Sequence, residues 1–346
     1  MYRSVKRLSI VMSGGGVKGI AYAGIFDVIR RKGFLPVNLA GVSSGAIAAA
    51  LGGAGYNAEE MWNTLEALEL EKFNPNTIEK RVPAVRYFAA YASKSKLRPA
   101  ESVEDFLNQY ANRGRYMRRD RSDMRRGIIQ GIVKLCKDGC LFDGDRLEEW
   151  IAEALRKKGI RTFADLRGGR PDKNNPSGYK VRMTGVDCNR MKIVTLPDDA
   201  AFYGIDPDDL EVARAVRIST AVPFAFKPVV ISKKEENSTV HYNLVDGGVF
   251  DSFPTWLMGD GGIPIAGFRL YSSEKKVINL KTPLSVFKSL VTAVHDIGVP
   301  EGNPAVLAYT GEIDTGSVHF LDFDLSPEQK ESLFESGRKA ALDLHI

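Results

Sequence analysis

A chain of 346 residues is long enough for one large domain or two ordinary ones, and it can bury most of the surface its unfolded form exposes. With 44% hydrophobic and 26% charged residues it has the balance of a soluble globular protein, which excludes collagen-like, disordered and disulfide-scaffold classes. A net charge of +5 and a pI near 8.9 fall short of a dedicated nucleic-acid binder, so no nucleic-acid partner is expected, but they suit an anionic membrane surface.

In chain order, the apolar run LSIVM (Leu8 to Met12) ends in three glycines and predicts a buried strand. Apolar residues then recur at helical spacing from Val17 to Arg31, with Gly33 as a stop. Val37 to Val42 reads as a second strand and Ala46 to Gly53 as a buried helix of small residues. Strand, helix, strand, helix points to a parallel α/β sheet. Asn57 to Leu70 predicts a helix capped near Asn57. From residue 74 to about 140 charges and aromatics mix without strand signals, which predicts a helical insertion. It carries Arg113, Arg115, Arg118, Arg119, Arg121, Arg125 and Arg126. A further helix to about Lys158 is expected to be capped by Asp143 or Asp145, with Glu148 and Glu149 in its first turn. Strands are expected at Lys180 to Asp187, Met191 to Leu196, Lys227 to Ser232, Val240 to Val245 and Ile263 to Leu270. Helices are expected at Pro283 to Val294 and Ser326 to Leu344, the last opened by Ser-Pro-Glu. With no repeats and no low-complexity linker, one domain over residues 1–346 is expected.

The cysteines Cys136, Cys140 and Cys188 are odd in number and lack zinc spacing, so they read as free thiols in a reducing compartment, with no metal expected. The apolar run at the start is too short for a signal sequence, and no stretch nears the ~20 apolar residues of a membrane span. A cytoplasmic protein is expected, with docking on a membrane left open.

Three motifs carry chemistry. SGGGVKG (Ser13 to Gly19) has the Gly14-x-Gly16-x-x-Gly19 spacing of a dinucleotide turn. That reading demands an acidic residue at the end of the second strand, and VNLAGV has none. A P-loop fails because Gly19 follows Lys18. No cofactor is therefore expected. The second strand leads instead into GVSSG, a Gly41-x-Ser43-x-Gly45 pattern. On a strand–turn–helix this spacing makes a nucleophile elbow, with the helix N-terminus aimed at the same spot. If the two strands are parallel neighbours, Gly14, Gly15 and Gly16 lie beside Ser43 as an oxyanion hole, which explains the glycines without a nucleotide. The third motif, VDGGVF, ends a strand in Asp246 followed by Gly247 and Gly248.

SGGGVKG, GVSSG and DGG, in this order and spacing, resemble the patatin-like phospholipase family. The block ISTAVPFAFKPV (Ile218 to Val229) and the stretch LDFDLSPEQKESLFESG (Leu321 to Gly337) are similar to bacterial members. The resemblance spans nearly the whole chain and is weakest in the Arg-rich region. It implies a mostly parallel sheet sandwiched by helices, and hydrolysis of acyl esters of phospholipids. On the matching positions it implies Ser43 as nucleophile, Asp246 as base and Gly14, Gly15 and Gly16 as the oxyanion hole. Gly19, Gly41, Gly45, Gly247 and Gly248 are the motif glycines, and Lys18 stands where the family carries a basic residue.

A carboxylate is a weak base in water, so Asp246 is expected to be partly buried, with a raised pKa. Two rivals stay open. One is a Ser-His-Asp triad, for which His295, His319 and His345 follow Asp246 in the right order; His241 is expected to be structural. The other is a non-catalytic or activator-dependent lipid-binding effector on the same fold. Pro223, Phe224 and Phe226, with Tyr87, Phe88 and Tyr91, are candidates for an acyl trough. The arginine run is a candidate for anionic head groups, interrupted by Asp120 and Asp123.

Overall fold

The computed structural model describes residues 6–68, 144–274 (except 224, 237 and 260) and 307–345 (except 321, 323 and 324). The insertion at 74–140, its arginines and trough aromatics, Cys136, Cys140, Phe224, His295 and the helix expected at Pro283 to Val294 lie outside the described residues.

The strands are β1 (Lys6–Met12), β2 (Phe34–Gly41), β3 (Val181–Asp187), β4 (Lys192–Leu196), β5 (Val229–Glu235), β6 (Ser238–Asp246), β7 (Ile265–Tyr271) and β8 (Tyr309–Asp314). The described α-helices are α1 (Ala21–Arg31), α2 (Ser44–Gly53), α3 (Ala58–Glu66), α4 (Asp145–Arg156), α5 (Val212–Ser219) and α6 (Pro327–Leu342). The strands form one mixed sheet in the order β5-β6-β3-β2-β1-β7-β8, with β4 also on β3. Pairs β1–β2, β1–β7, β2–β3 and β7–β8 are parallel; β3–β4, β3–β6 and β5–β6 are antiparallel. The mostly parallel sheet flanked by helices is the fold expected from the sequence.

Period-2 alternation splits β1 between two cores. Leu8, Ile10 and Met12 join the large cluster built with α1, α2, α5 and α6. Val11 joins Ala40, Leu257, Met258 and Ile265 in a second cluster, which the short turn Thr255–Leu257 helps to form. Helix α2 is small and apolar all round because nearly all of it is buried.

Several elements differ from expectation. The helix expected from Val17 is a 3₁₀ turn, Gly16–Ile20, that passes into α1. Asp145 is not a cap: it is the first residue of α4, and Gly144 holds the cap position without a side-chain bond. Helix α5 and strand β8 were not expected at all. By contrast, Asn57 caps α3 in a reciprocal box with Glu60, and Ser326 caps α6 in the same way with Gln329.

Candidate active site

Ser43 stands between β2 and α2 with φ 55° and ψ −122°. A left-handed φ at a non-glycine residue is strained backbone, held only where its surroundings over-determine it. Here the flanking glycines do so. A Cβ on Gly41 would overlap the backbone of Gly45, and a Cβ on Gly45 would overlap the carbonyl oxygen of Met12. The turn therefore closes on itself and against β1, as a nucleophile elbow requires. Ser43 N–H donates to Ser219 Oγ at 3.1 Å. The serine is 5% exposed.

The glycine run leaves the neighbouring strand at the same level, because Met12 pairs with Gly41. Its start is tied down from three sides: Ser13 N–H donates to Phe268 O, Leu270 N–H to Ser13 Oγ, and Tyr22 Oη–H to Ser13 O at 2.6 Å. Burial pushes the Tyr22 phenol well up, so it stays a donor. Gly16 has φ +57°, and a Cβ there would overlap Phe320 O, which accepts from Val17 N–H. Gly14 departs from its expected role. Its N–H donates to Ser252 O at 2.9 Å, so it has no donor left for an oxyanion. The amides of Gly15 and Gly16 have no protein partner among the described residues. Gly19 closes the 3₁₀ turn against Ser44, where a Cβ would meet the Ser44 Cβ at 2.5 Å. Lys18 lies in that turn, its N–H donating to Gly15 O.

Asp246 ends β6 at 3% exposure. Its Oδ1 accepts from Gly248 N–H at 2.7 Å, and its own N–H donates to Ala221 O at 3.0 Å. Gly247 packs on Thr184 of β3 too closely for any side chain. The register brings Asp246 toward the elbow. On β3, Gly41 pairs with Met183 and Asp246 pairs with Gly185. Strand β4 occupies the edge of β3 from Met183 to Asp187. Since β4 holds that edge, β2 and β6 share the other, their C-terminal ends meeting head to head. Two residues of β3, roughly 7 Å, separate the two levels. The end of α5 ties both together, since Ser219 holds Ser43 and Ala221 holds Asp246.

Past Asp246, the buried Asp251 accepts from Phe253 N–H at 2.9 Å and from Trp256 Nε1 at 2.7 Å. Burial pushes its carboxyl up, against the pull of those two donors. The next residue, Ser252, supplies the carbonyl that takes Gly14 N–H, so this loop is bonded to the glycine run.

Ser43, Ser44, Gly16 and Gly19 line a mainly apolar cavity of about 210 Å³ with Val17, Ile20, Ile47, Leu65, Leu68, Leu147, Val222, Phe226, Phe320 and Leu325. Phe226, expected in a trough, is there; Pro223 is not among the lining residues. Thr220, Glu66 and Lys330 add polar groups. Of the three described histidines, none lines the cavity: His241 bonds Ser232 Oγ on the exposed hairpin, His319 lies against Phe320, and His345 is exposed near the chain end. Ser44, Ser219, Ser252 and Phe320 were missed in the sequence. Each acts through a partner remote in the chain or through burial, and neither leaves a local motif.

The patatin-like phospholipase family model matches residues 10–258. The chain belongs to that family. It is 31% identical over 335 residues to the uncharacterized protein YqhO of Bacillus subtilis (strain 168), covering 95% of this chain and 94% of that one. Among solved structures it is similar to VipD from Legionella pneumophila, with 17% identity, TM-score 0.48, and coverage of 99% of this chain and 67% of VipD. It is also similar to the type III effector protein ExoU of Pseudomonas aeruginosa, with 20% identity, TM-score 0.39, and coverage of 98% of this chain and 52% of ExoU. Both scores are under 0.5, so membership rests on the family match and the relative.

Proposed function

We propose that this patatin-like chain is a serine lipid acyl hydrolase of phospholipase A type, working through Ser43 and Asp246 without a histidine. The observation that carries the reading is the meeting of the β2 and β6 ends on one edge of β3, with the strained serine on one and the buried aspartate on the other. Asp246, buried at the end of β6, is the carboxylate nearest in the sheet to the elbow to accept the serine's proton. Ser43 Oγ bonds to the ester carbonyl carbon, its proton passes to Asp246, and the carbonyl π pair moves onto oxygen. The Gly15 and Gly16 amides stabilise that oxyanion. Collapse breaks the bond to the alcohol, which leaves with the proton from Asp246. Water then repeats the sequence on the acyl-enzyme and frees the fatty acid.

The apolar cavity supports an acyl chain as the group held at the serine. The substrate side is a phospholipid at a membrane surface; no described helix is long and apolar enough to span a bilayer. Release of fatty acid from phospholipid vesicles, and hydrolysis of a chromogenic medium-chain ester, test the reading. Ser43→Ala and Asp246→Asn are each expected to lose about 10³-fold or more in kcat. A His295→Ala/His319→Ala/His345→Ala variant is expected to keep wild-type activity. A dead histidine variant with its fold intact would replace the dyad by a triad.

A further inference from the structure

Ser44, the residue after the proposed nucleophile, carries a hydroxyl that no other described residue uses. The residue is 6% exposed, and its Oγ is buried without a hydrogen-bond partner among the described residues. A serine inside a helix can return its hydroxyl to the carbonyl four residues back. Ser44 opens α2, so the residue four back is Ala40, whose backbone lies in the sheet. A buried hydroxyl left unpaired costs stability, and water or a ligand is the usual partner where the protein offers none.

The position says which ligand. Ser44 lines the same cavity as Ser43 and Gly16. It faces the 3₁₀ turn of the glycine run, where Gly19 lacks the Cβ that would displace it. It also sits at the N-terminal end of a ten-residue helix, where the backbone dipole favours negative charge. The Ser44 side chain thus lies against Gly19 of that turn, in a cavity whose lining also includes the attacking serine and Gly16.

We infer that Ser44 Oγ–H is a third oxyanion donor, a catalytic hydroxyl acting beside the Gly15 and Gly16 amides in place of the amide that Gly14 gives to Ser252. The inference rests on the reading of Ser43 as nucleophile. It concerns a residue type rather than the elbow itself, because the spacing Gly41-x-Ser43-x-Gly45 leaves position 44 unspecified.

The test pairs kinetics with stability in Ser44→Ala and Ser44→Cys. Loss of the donor is expected to lower kcat about tenfold or more with KM unchanged. The melting temperature of Ser44→Ala should hold or rise, because an unpaired buried group has been removed. A merely structural serine predicts the opposite pattern, a lower melting temperature with kcat kept. The rate of Ser43 labelling by an alkyl fluorophosphonate, whose P=O oxygen occupies the oxyanion position as fluoride leaves, should fall in the same proportion. Equal labelling of wild type and Ser44→Ala, or an unchanged kcat, overturns the role of Ser44 alone. A wild type that is not labelled at Ser43 overturns the nucleophile reading, and this inference with it.

Discussion

At the scale of single residues, the site is a set of close approaches that only certain residue types permit. Gly45 lies against the carbonyl of Met12, and Gly41 against Gly45 itself. Neither neighbour is a flexible side-chain end, so the backbone must move to admit a methyl group. Gly45→Ala is expected to cost about 2–4 kcal/mol and to reduce kcat even where the protein still folds, since the elbow must open. Urea denaturation and ester hydrolysis on the same preparation check this, and a variant with wild-type values for both would remove the steric account. These glycines were legible in the sequence because a tight turn leaves a fixed local spacing. The partners of the loop were not. The carbonyl of Ser252 and the hydroxyl of Ser219 reach the site from distant parts of the chain through bonds that any residue, or any serine, can make. Gly14 parts from its expected role because its amide is given to Ser252 O.

Helix ends were read well where a cap leaves a pattern and poorly where it does not. Asn57 and Glu60 satisfy each other's backbone partners at 2.9 and 3.0 Å. Asn57→Ala is expected to cost about 1 kcal/mol, seen as a lower urea midpoint with an unchanged slope. The Lys158 ammonium bonded to Glu60, and the Asn57 N–H, hold the Glu60 carboxyl below its ordinary value. The native state then releases that proton more readily than the unfolded chain. The contribution is present above the ordinary carboxylate range and is lost as pH falls through the lowered folded value. The difference in urea midpoint between wild type and Glu60→Gln should shrink as pH drops below about 4. A constant difference would mean that the pair adds nothing. Asp251 runs the other way: burial raises its carboxyl, so its contribution declines as pH rises from the ordinary value through the raised one. Helix α5 and strand β8 escaped the sequence reading for different reasons. Residues 212–219 mix two arginines among apolar residues over only eight positions, too short for a clear period. In YTGEID only two of the six residues are buried.

At the scale of the whole molecule, the segment beyond the family match completes the site. The family model ends at residue 258, yet Phe320, Leu325 and Lys330 wall the cavity and Phe320 O braces the glycine run. Helix α6 crosses α1 where Gly24 meets Phe334 O and Gly337 meets Ala21 O, an approach that no larger residue allows. Gly337→Leu is expected to lift α6 and lower the melting temperature by several degrees, on the order of 2–3 kcal/mol. Activity should fall with it because the cavity wall moves. A Gly337→Leu protein that kept full activity would show that the wall is dispensable. The fold class was legible because alternating strand and helix patterns leave few sheet topologies. The meeting of β2 and β6 was not, since no local pattern encodes which strands share an edge.

In the proposed reaction Ser43 attacks and Asp246 takes its proton. Peptide mapping by mass spectrometry after reaction with an alkyl fluorophosphonate tests it most directly, on wild type and on Asp246→Asn. One adduct is expected on the peptide containing Ser43 in the wild type, with labelling slowed by about 10³-fold or more in the variant. An adduct on another residue, or labelling of Asp246→Asn at the wild-type rate, would contradict it.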